Sequence, residues 1–156
     1  MHASRVLGIL RALLLPIGLT AGLAWADEAI IGHVKTTAGQ SYLVAAGQTL
    51  AAQPGAPLQK GQMLTTDHTG SLGVTLLDNT VLSIGPDSEL VIDEYAYSPG
   101  RSELKLLIRM TKGTLHYISG VIAKLRPESV SIKMPTGLIG VRGTELVLRV
   151  NPLDFQ

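Results

Sequence analysis

Short runs of apolar and β-branched residues, each ended by glycine, proline, asparagine or aspartate, make up most of this chain. In the clearest run, apolar residues recur at every second position (Leu104, Leu106, Ile108 and Met110), with the charged Lys105 between the first two. A period of two places these side chains on one face of a β-strand, whereas a helix would scatter them around its surface. Runs of this kind start about every 8 to 12 residues, a spacing typical of all-β proteins. The sequence therefore predicts an all-β fold.

The remaining runs and the turns between them support the same prediction. Further strands are expected at 30–35, 41–45, 71–77, 81–84, 90–95, around 130–132 and at 146–150. Turns are expected at 78–79, 85–88 and 98–101, where short polar residues, glycine and proline tolerate turn backbone angles. Only the segment 119–126, ended by Pro127, is compatible with a short helical turn. Both a twisted β-solenoid-like and a β-sandwich-like single domain are consistent with such short strands.

The first 26 residues have the three parts of a secretion signal. Arg5 and Arg11 form a basic start, an apolar stretch follows at 12–23, and 24–26 read Ala-Trp-Ala, a small-x-small cleavage pattern. The apolar stretch falls short of the roughly 20 residues that span a membrane. We expect residues 1–26 to be a cleaved signal peptide of the general secretion route, or alternatively a retained anchor. Residues 27–156 then form one periplasmic or secreted domain without a membrane span.

Composition excludes several classes of function. The sequence has no cysteine, which excludes disulfides, thiolate metal sites and a cysteine nucleophile. Its 13 basic and 12 acidic residues give a formal charge of +1, without the excess of positive charge expected of a nucleic-acid-binding domain. We therefore expect no nucleic-acid partner.

No arrangement of side chains in the sequence indicates catalysis. Asp67, His68 and Ser71 are crowded into one polar segment that reads as a loop between two strands. His33 and His116 are isolated within predicted strands, so no histidine pair has the spacing of metal ligands. The adjacent carboxylates at 93–94 would point to opposite faces of a strand. We expect a protein that is not an enzyme and that has no catalytic residue, cofactor or metal site.

Four residues are the best candidates for contact with a partner. Tyr95 and Tyr97 share a predicted strand face beside a Pro-Gly turn that also holds Arg101. Arg142 lies in the glycine-rich segment 137–143, which lacks the lysine–hydroxyl pair of a phosphate-binding loop and predicts a tight bend. Packing and surface ion pairs are the alternative roles for these side chains.

The order of motifs along the chain resembles the FecR-like periplasmic domain family. The resemblance covers about residues 31–150. Its central part is the run from Gly70 to Gly85, which contains Asp78-Asn79-Thr80, with Asn79 where the family more often has glycine. Its closing part is 130–136 followed by 141–148, with Leu146 where an aromatic residue is frequent.

The resemblance implies an all-β domain of the bacterial envelope that engages another protein. The namesake of the family is an inner-membrane regulator that relays the occupancy of an outer-membrane iron transporter to a sigma factor. This sequence shows no sigma-binding segment, so we expect a protein-interaction module in envelope sensing or signalling without direct sigma-factor control. Binding of an envelope glycan or another small ligand is the alternative, although it is disfavoured because the only tryptophan, Trp25, lies in the predicted signal.

Overall fold

The computed structural model describes residues 29–152 of the chain. The predicted signal peptide lies outside the described residues, as do the last four residues of the sequence. Within 29–152 the chain forms twelve strands, one short helix and two single-turn 3₁₀ helices. The strands are β1 (Ile30–Ala38), β2 (Ser41–Ala45), β3 (Gln48–Ala51), β4 (Pro57–Gln59), β5 (Met63–Thr66), β6 (Ser71–Leu76), β7 (Val81–Ile84), β8 (Glu89–Ser98), β9 (Glu103–Ile118), β10 (Val130–Met134), β11 (Gly137–Gly140) and β12 (Glu145–Val150).

All of these strands belong to one curled sheet. Its main path runs β3-β2-β5-β8-β9-β7-β6-β1-β4, while β10 and β12 pair with β9 alongside the stretches that β8 and β7 occupy, and β11 pairs with β10. The pairing of β9 with β10 is parallel and the others are antiparallel. The prediction of an all-β single domain is confirmed, and the strands form a continuous curled sheet.

The sixteen-residue strand β9 is the axis of the sheet. Two strands follow one another along it: β8 pairs with residues 103–112 of β9, and β7 with residues 115–118. Parallel β10 and antiparallel β12 pair with residues 106–109 and 113–118. Every other strand therefore either pairs with β9 or is connected to it through a series of paired strands.

Gly113 changes the face that β9 turns towards the core. Leu106, Ile108 and Met110 are buried before it, and Leu115 and Tyr117 are buried after it, so the alternation shifts by one residue. Gly113 has φ +94, and a Cβ there would lie 2.5 Å from the Cα of Ser88. Glycine accommodates this conformation and this close approach, which other residues do not.

The core lies inside the curl and is mainly aliphatic, with Tyr117 as its buried aromatic residue. Each fully buried leucine, isoleucine or methionine contributes roughly 1.5–3 kcal/mol through removal of its side chain from water. The largest fully buried side chains are Tyr117, Leu58, Leu64, Leu72, Leu82, Leu90, Ile92, Leu106, Ile108, Met110, Leu115 and Ile122.

One short helix closes the curl between β9 and β10. The helix α1 (Val121–Leu125) lies within the predicted segment 119–126 and buries Ile122 and Ala123 against the core. Two 3₁₀ turns, Pro99–Arg101 and Pro127–Ser129, join β8 to β9 and α1 to β10. In the described part of the chain, no helix is long and apolar enough to span a membrane.

Candidate interaction surface

The histidine and acidic side chains of the described residues do not gather into a metal site. Between residues 29 and 152, no group of three histidine or acidic side chains is placed to hold a metal ion. Asp67 and His68 lie in the connection between β5 and β6, as predicted. There the Asp67 carboxylate accepts hydrogen bonds from the backbone N–H and the hydroxyl of Thr69, both at 2.9 Å. These bonds give Asp67 the role of a turn residue.

Asp78 is a buried carboxylate that sequence reasoning assigned only to a turn. The turn itself is present, with Asn79 at φ +65. One carboxylate oxygen accepts hydrogen bonds from the Thr80 hydroxyl at 2.8 Å and the Ile122 N–H at 3.2 Å. The other accepts from the Thr80 N–H at 3.3 Å and the Tyr95 hydroxyl at 3.2 Å. Asp78 therefore joins the β6–β7 turn to α1 and to β8.

The Tyr95 side chain is consequently fixed by its hydrogen bond to the buried Asp78 and by packing against the core. A bulge in β8 between Ile92 and Glu94 inserts Asp93 as an extra residue, and beyond it Tyr95 and Tyr97 turn towards the core, against which both are partly buried. Burial raises the pKa of the Tyr95 hydroxyl far above its ordinary value, and the nearby Asp78 charge adds to this shift. The two tyrosines share a face, as predicted, but much of that face packs against the core.

Arg101 and Arg142 are both exposed, and each lies close to the segment from α1 to the following 3₁₀ turn. Arg101 pairs with Glu103 at 3.2 Å in the β8–β9 turn. The same turn accepts a hydrogen bond at 3.2 Å from Arg126 of the α1 connection to the Ser102 carbonyl. Arg142 lines a groove of about 320 Å³ together with residues of α1, among them Lys124. The structure thus places Arg101 and Arg142 near one segment, and the two tyrosines elsewhere on β8.

A second exposed surface surrounds β11, which sequence reasoning treated as part of a glycine-rich bend. The bend begins after Gly140, and residues 137–140 form an edge strand that pairs only with β10 among the described strands. Leu138 of β11 is 64% exposed. Beside it lies a groove of about 560 Å³. We call β11 and this groove the β11 surface; the groove is lined by Lys105, Leu107, Ser131, Lys133, Met134, Pro135, Thr136, Gly137 and Leu138.

Two of the other sheet edges, β4 and β12, are less suited to strand pairing, and the third, β3, lacks a groove like that beside β11. An edge strand presents unpaired backbone groups, and proline or charged residues discourage partners there. The three-residue strand β4 begins with Pro57, and β12 carries Glu145 and Arg149. The edge strand β3 is exposed along its whole length and includes Leu50, which is 60% exposed, but no groove with charged lining accompanies it. The β11 surface combines an uncharged edge with an apolar groove flanked by lysines.

These features define an all-β domain with an exposed edge strand, and comparison with known proteins assigns it to a family. The family model described as FecR protein matches residues 62–154, which is more than half of the chain. The chain belongs to the FecR family, as the order of its motifs indicated. The opening segment of the expected resemblance, 31–61, lies outside the match. Comparisons with curated proteins and with solved structures gave no match.

Membership defines the function only at a general level. The FecR family comprises domains related to signalling and sensing, is typically associated with the cell envelope, and is not known as a family of enzymes. The family match includes Asp78, Tyr95, Arg142 and the whole of β11.

Proposed function

We propose that this protein is a non-enzymatic interaction module of the bacterial envelope, periplasmic or secreted after removal of residues 1–26. In this role it binds another envelope protein and takes part in sensing or signalling without contacting a sigma factor itself. The observation that carries the proposal is the free, uncharged edge strand β11 with its exposed Leu138. Such an edge can accept a strand of another chain through backbone hydrogen bonds.

The family assignment supports a binding role, since its members relate to signalling. Glycan binding, the alternative, commonly relies on exposed aromatic faces against which sugar rings stack. Tyr95 offers little to a sugar because its ring is partly buried and its hydroxyl is bonded to Asp78.

Site-specific photocrosslinking in the host bacterium tests the proposal. The full-length, C-terminally tagged protein would carry a photoreactive phenylalanine analogue at position 138, or at position 50 as a matched control. Leu138 and Leu50 have similar exposure, 64% and 60%, and lie on different edge strands. We expect a discrete protein adduct from position 138 and none from position 50. The same analogue at positions 101 and 142 tests the arginines proposed from the sequence.

Equal adducts from positions 138 and 50 would reject β11 as the interface. No protein adduct from any position, together with a glycan that co-purifies with the protein, would transfer the assignment to ligand binding. Detection of the tag in the cytoplasmic fraction alone would reject the proposed location.

A further inference from the structure

The groove of about 320 Å³ beside α1 has basic side chains on both sides. It lies between the segment 119–128, which contains α1, and residues 142–144 of the connection from β11 to β12, and we call it the α1 groove. Lys124 lines it from the first side and Arg142 from the second. We propose that the α1 groove binds the C-terminal carboxylate of another protein chain, together with an apolar side chain of its last residue. This site is separate from strand pairing at β11 and goes beyond the proposed function.

The two basic side chains of the α1 groove are available to an anion. Both Lys124 and Arg142 are exposed. Neither forms an ion pair within 4 Å in the part of the chain that the structure describes. A carboxylate that enters the groove therefore meets two positive charges without displacing an internal partner from either.

The acidic side chains nearby are already engaged. Glu128, which also lines the groove, lies 3.8 Å from Arg126. Glu145, at the end of the connection, contacts His116 at 2.5 Å. The carboxylate of Asp78, to which α1 donates a hydrogen bond, is fully buried. The lining of the groove thus has two basic residues against one acidic residue with a partner of its own, which favours an anionic occupant.

The connection that forms the second side of the groove is fixed at both ends. At its start, Val141 is buried and its N–H donates to the Val130 carbonyl at 3.1 Å. At its end, the Ser119 hydroxyl donates to the Gly143 carbonyl, and the Ser119 N–H donates to the Thr144 carbonyl at 2.9 Å. This side of the groove is therefore formed before a ligand arrives, which reduces the entropy lost on binding.

Backbone donors add to the basic side chains. Gly143 and Thr144 both line the groove, and their N–H groups donate to no backbone carbonyl within residues 29–152. Backbone N–H groups of this kind, next to a guanidinium, bind carboxylates through charge-assisted hydrogen bonds. Capture of a C-terminal carboxylate by backbone N–H groups is a recurring mode of peptide recognition.

The size and remaining lining of the groove favour the end of a chain over a longer segment. Its volume of about 320 Å³ lies at the lower end of the range of about 300–1,000 Å³ that is typical of ligand sites. The lining also includes the apolar Ala123 and Pro127. A terminal residue brings a carboxylate and an apolar side chain together in a small volume, which matches both parts of the lining.

Fluorescence anisotropy at low salt with a matched pair of labelled tetrapeptides tests the inference. Both peptides carry the label at the N-terminus and end in leucine, one with a free C-terminal carboxylate and the other with a C-terminal amide. We expect the free acid to bind the purified protein at least about tenfold more tightly. The double variant K124E/R142E should abolish this difference. The matched control K35E/R149E, with the same change in net charge at exposed residues of β1 and β12, should retain it.

Chemical shifts of the labelled protein locate the binding. The free-acid peptide should shift the amide resonances of Gly143 and Thr144, and the amidated peptide should not. Equal affinity for the two peptides, or a preference that survives K124E/R142E, would overturn the inference. An amidated peptide with an internal glutamate that binds as tightly as the free acid would replace the chain terminus with an acidic side chain. Acetate that competes at the concentration of the peptide would reduce the site to one for small anions.

Failure of this inference is distinguishable from failure of the proposed function. Leu138→Asp places a charge on the edge strand β11 and should leave binding of the free-acid peptide unchanged. Absence of an adduct from position 138 in cells would reject β11 as the interface and keep the α1 groove. Peptide binding that is insensitive to K124E/R142E would reject the α1 groove and keep β11.

Discussion

Replacing Asp78 with asparagine should destabilise the fold strongly although the two side chains have the same size. The carboxylate is fully buried, and each of its oxygens accepts one backbone N–H, from Thr80 on one side and from Ile122 on the other. Whichever way the amide is oriented, its NH₂ group faces one of these N–H donors and leaves it without an acceptor. A hydroxyl can rotate to adapt, but a backbone N–H cannot.

The size of the effect follows from these contacts. A buried N–H without an acceptor costs about 1–3 kcal/mol, and hydrogen bonds to a charged group contribute more than those to a neutral one. The sum predicts a loss of about 3 kcal/mol in the free energy of unfolding for Asp78→Asn. In a domain of this size, that loss corresponds to a decrease of about 10 °C in Tm.

Urea denaturation followed by circular dichroism measures this loss, with Asp87→Asn as the control. Asp87 is an exposed turn residue at φ +50, a conformation that asparagine also tolerates. We expect the control to change stability by less than about 0.5 kcal/mol. Equal unfolding midpoints for the two variants would refute the structural role given to Asp78.

Three further predictions concern other parts of the sheet. Gly113→Ala should lower the free energy of unfolding by more than about 2 kcal/mol or prevent folding, because φ +94 is strained for alanine and its Cβ would collide with Ser88. In the same denaturation assay the control Gly100→Ala, whose Cβ would meet open space, should be nearly neutral. The hydrogen bonds from Arg109 lower the pKa of Asp93 in the folded state. The ion pair therefore stabilises the fold at pH values above the pKa of an unfolded aspartate, near 3.9, and this stabilisation is lost as the pH falls through the lower pKa of the folded state. Asp93→Asn should therefore reduce stability at pH 7, by less than about 1 kcal/mol for so exposed a pair, and reduce it less at pH 2.5; an equal loss at both values would contradict the assignment. Burial raises the pKa of Tyr95, so the folded state resists its ionisation and stability should fall as the pH rises above about 10; Tyr95→Phe should make that fall shallower in alkaline denaturation, and an unchanged slope would count against it.

Alternation predicted the long strands well because one face of each is buried. The residues at 104–110 alternate as expected since that part of β9 covers the core. Beyond Gly113 the pattern of buried residues shifts by one position, and a simple period of two cannot predict such a shift. Its signal is the glycine itself, in the middle of a run of strand-forming residues.

Three short strands were not predicted for a related reason. β3, β4 and β5 have three or four residues each, too few for alternation to be distinguished from chance; β7, which has four, was predicted because its apolar run lies between two turn signals. β11 was interpreted as a bend because glycines occupy both of its ends. In these strands the pairing with neighbours, rather than local preference, determines the backbone conformation.

Which side chains of the candidate surfaces are buried depends even more on contacts between residues far apart in the sequence. The sequence placed Tyr95 and Tyr97 on one face, but only the bulge at Asp93 determines that this face is the inner one. The burial of Asp78 results from α1, which lies more than forty residues further along the chain. The partner-binding roles of Arg101 and Arg142 stay predictions, and both side chains are exposed as that role requires.

The position of β9 at the centre of the sheet has a consequence for how the protein unfolds. Because β7, β8, β10 and β12 all pair with it, its removal would divide the sheet into separate pieces, so the domain should unfold in one cooperative step. Amide protons in the middle of β9 should then exchange with solvent only through global unfolding, and those of the edge strand β11 through local fraying. A partner bound along β11 would slow exchange first at the part of the sheet that is least protected when free.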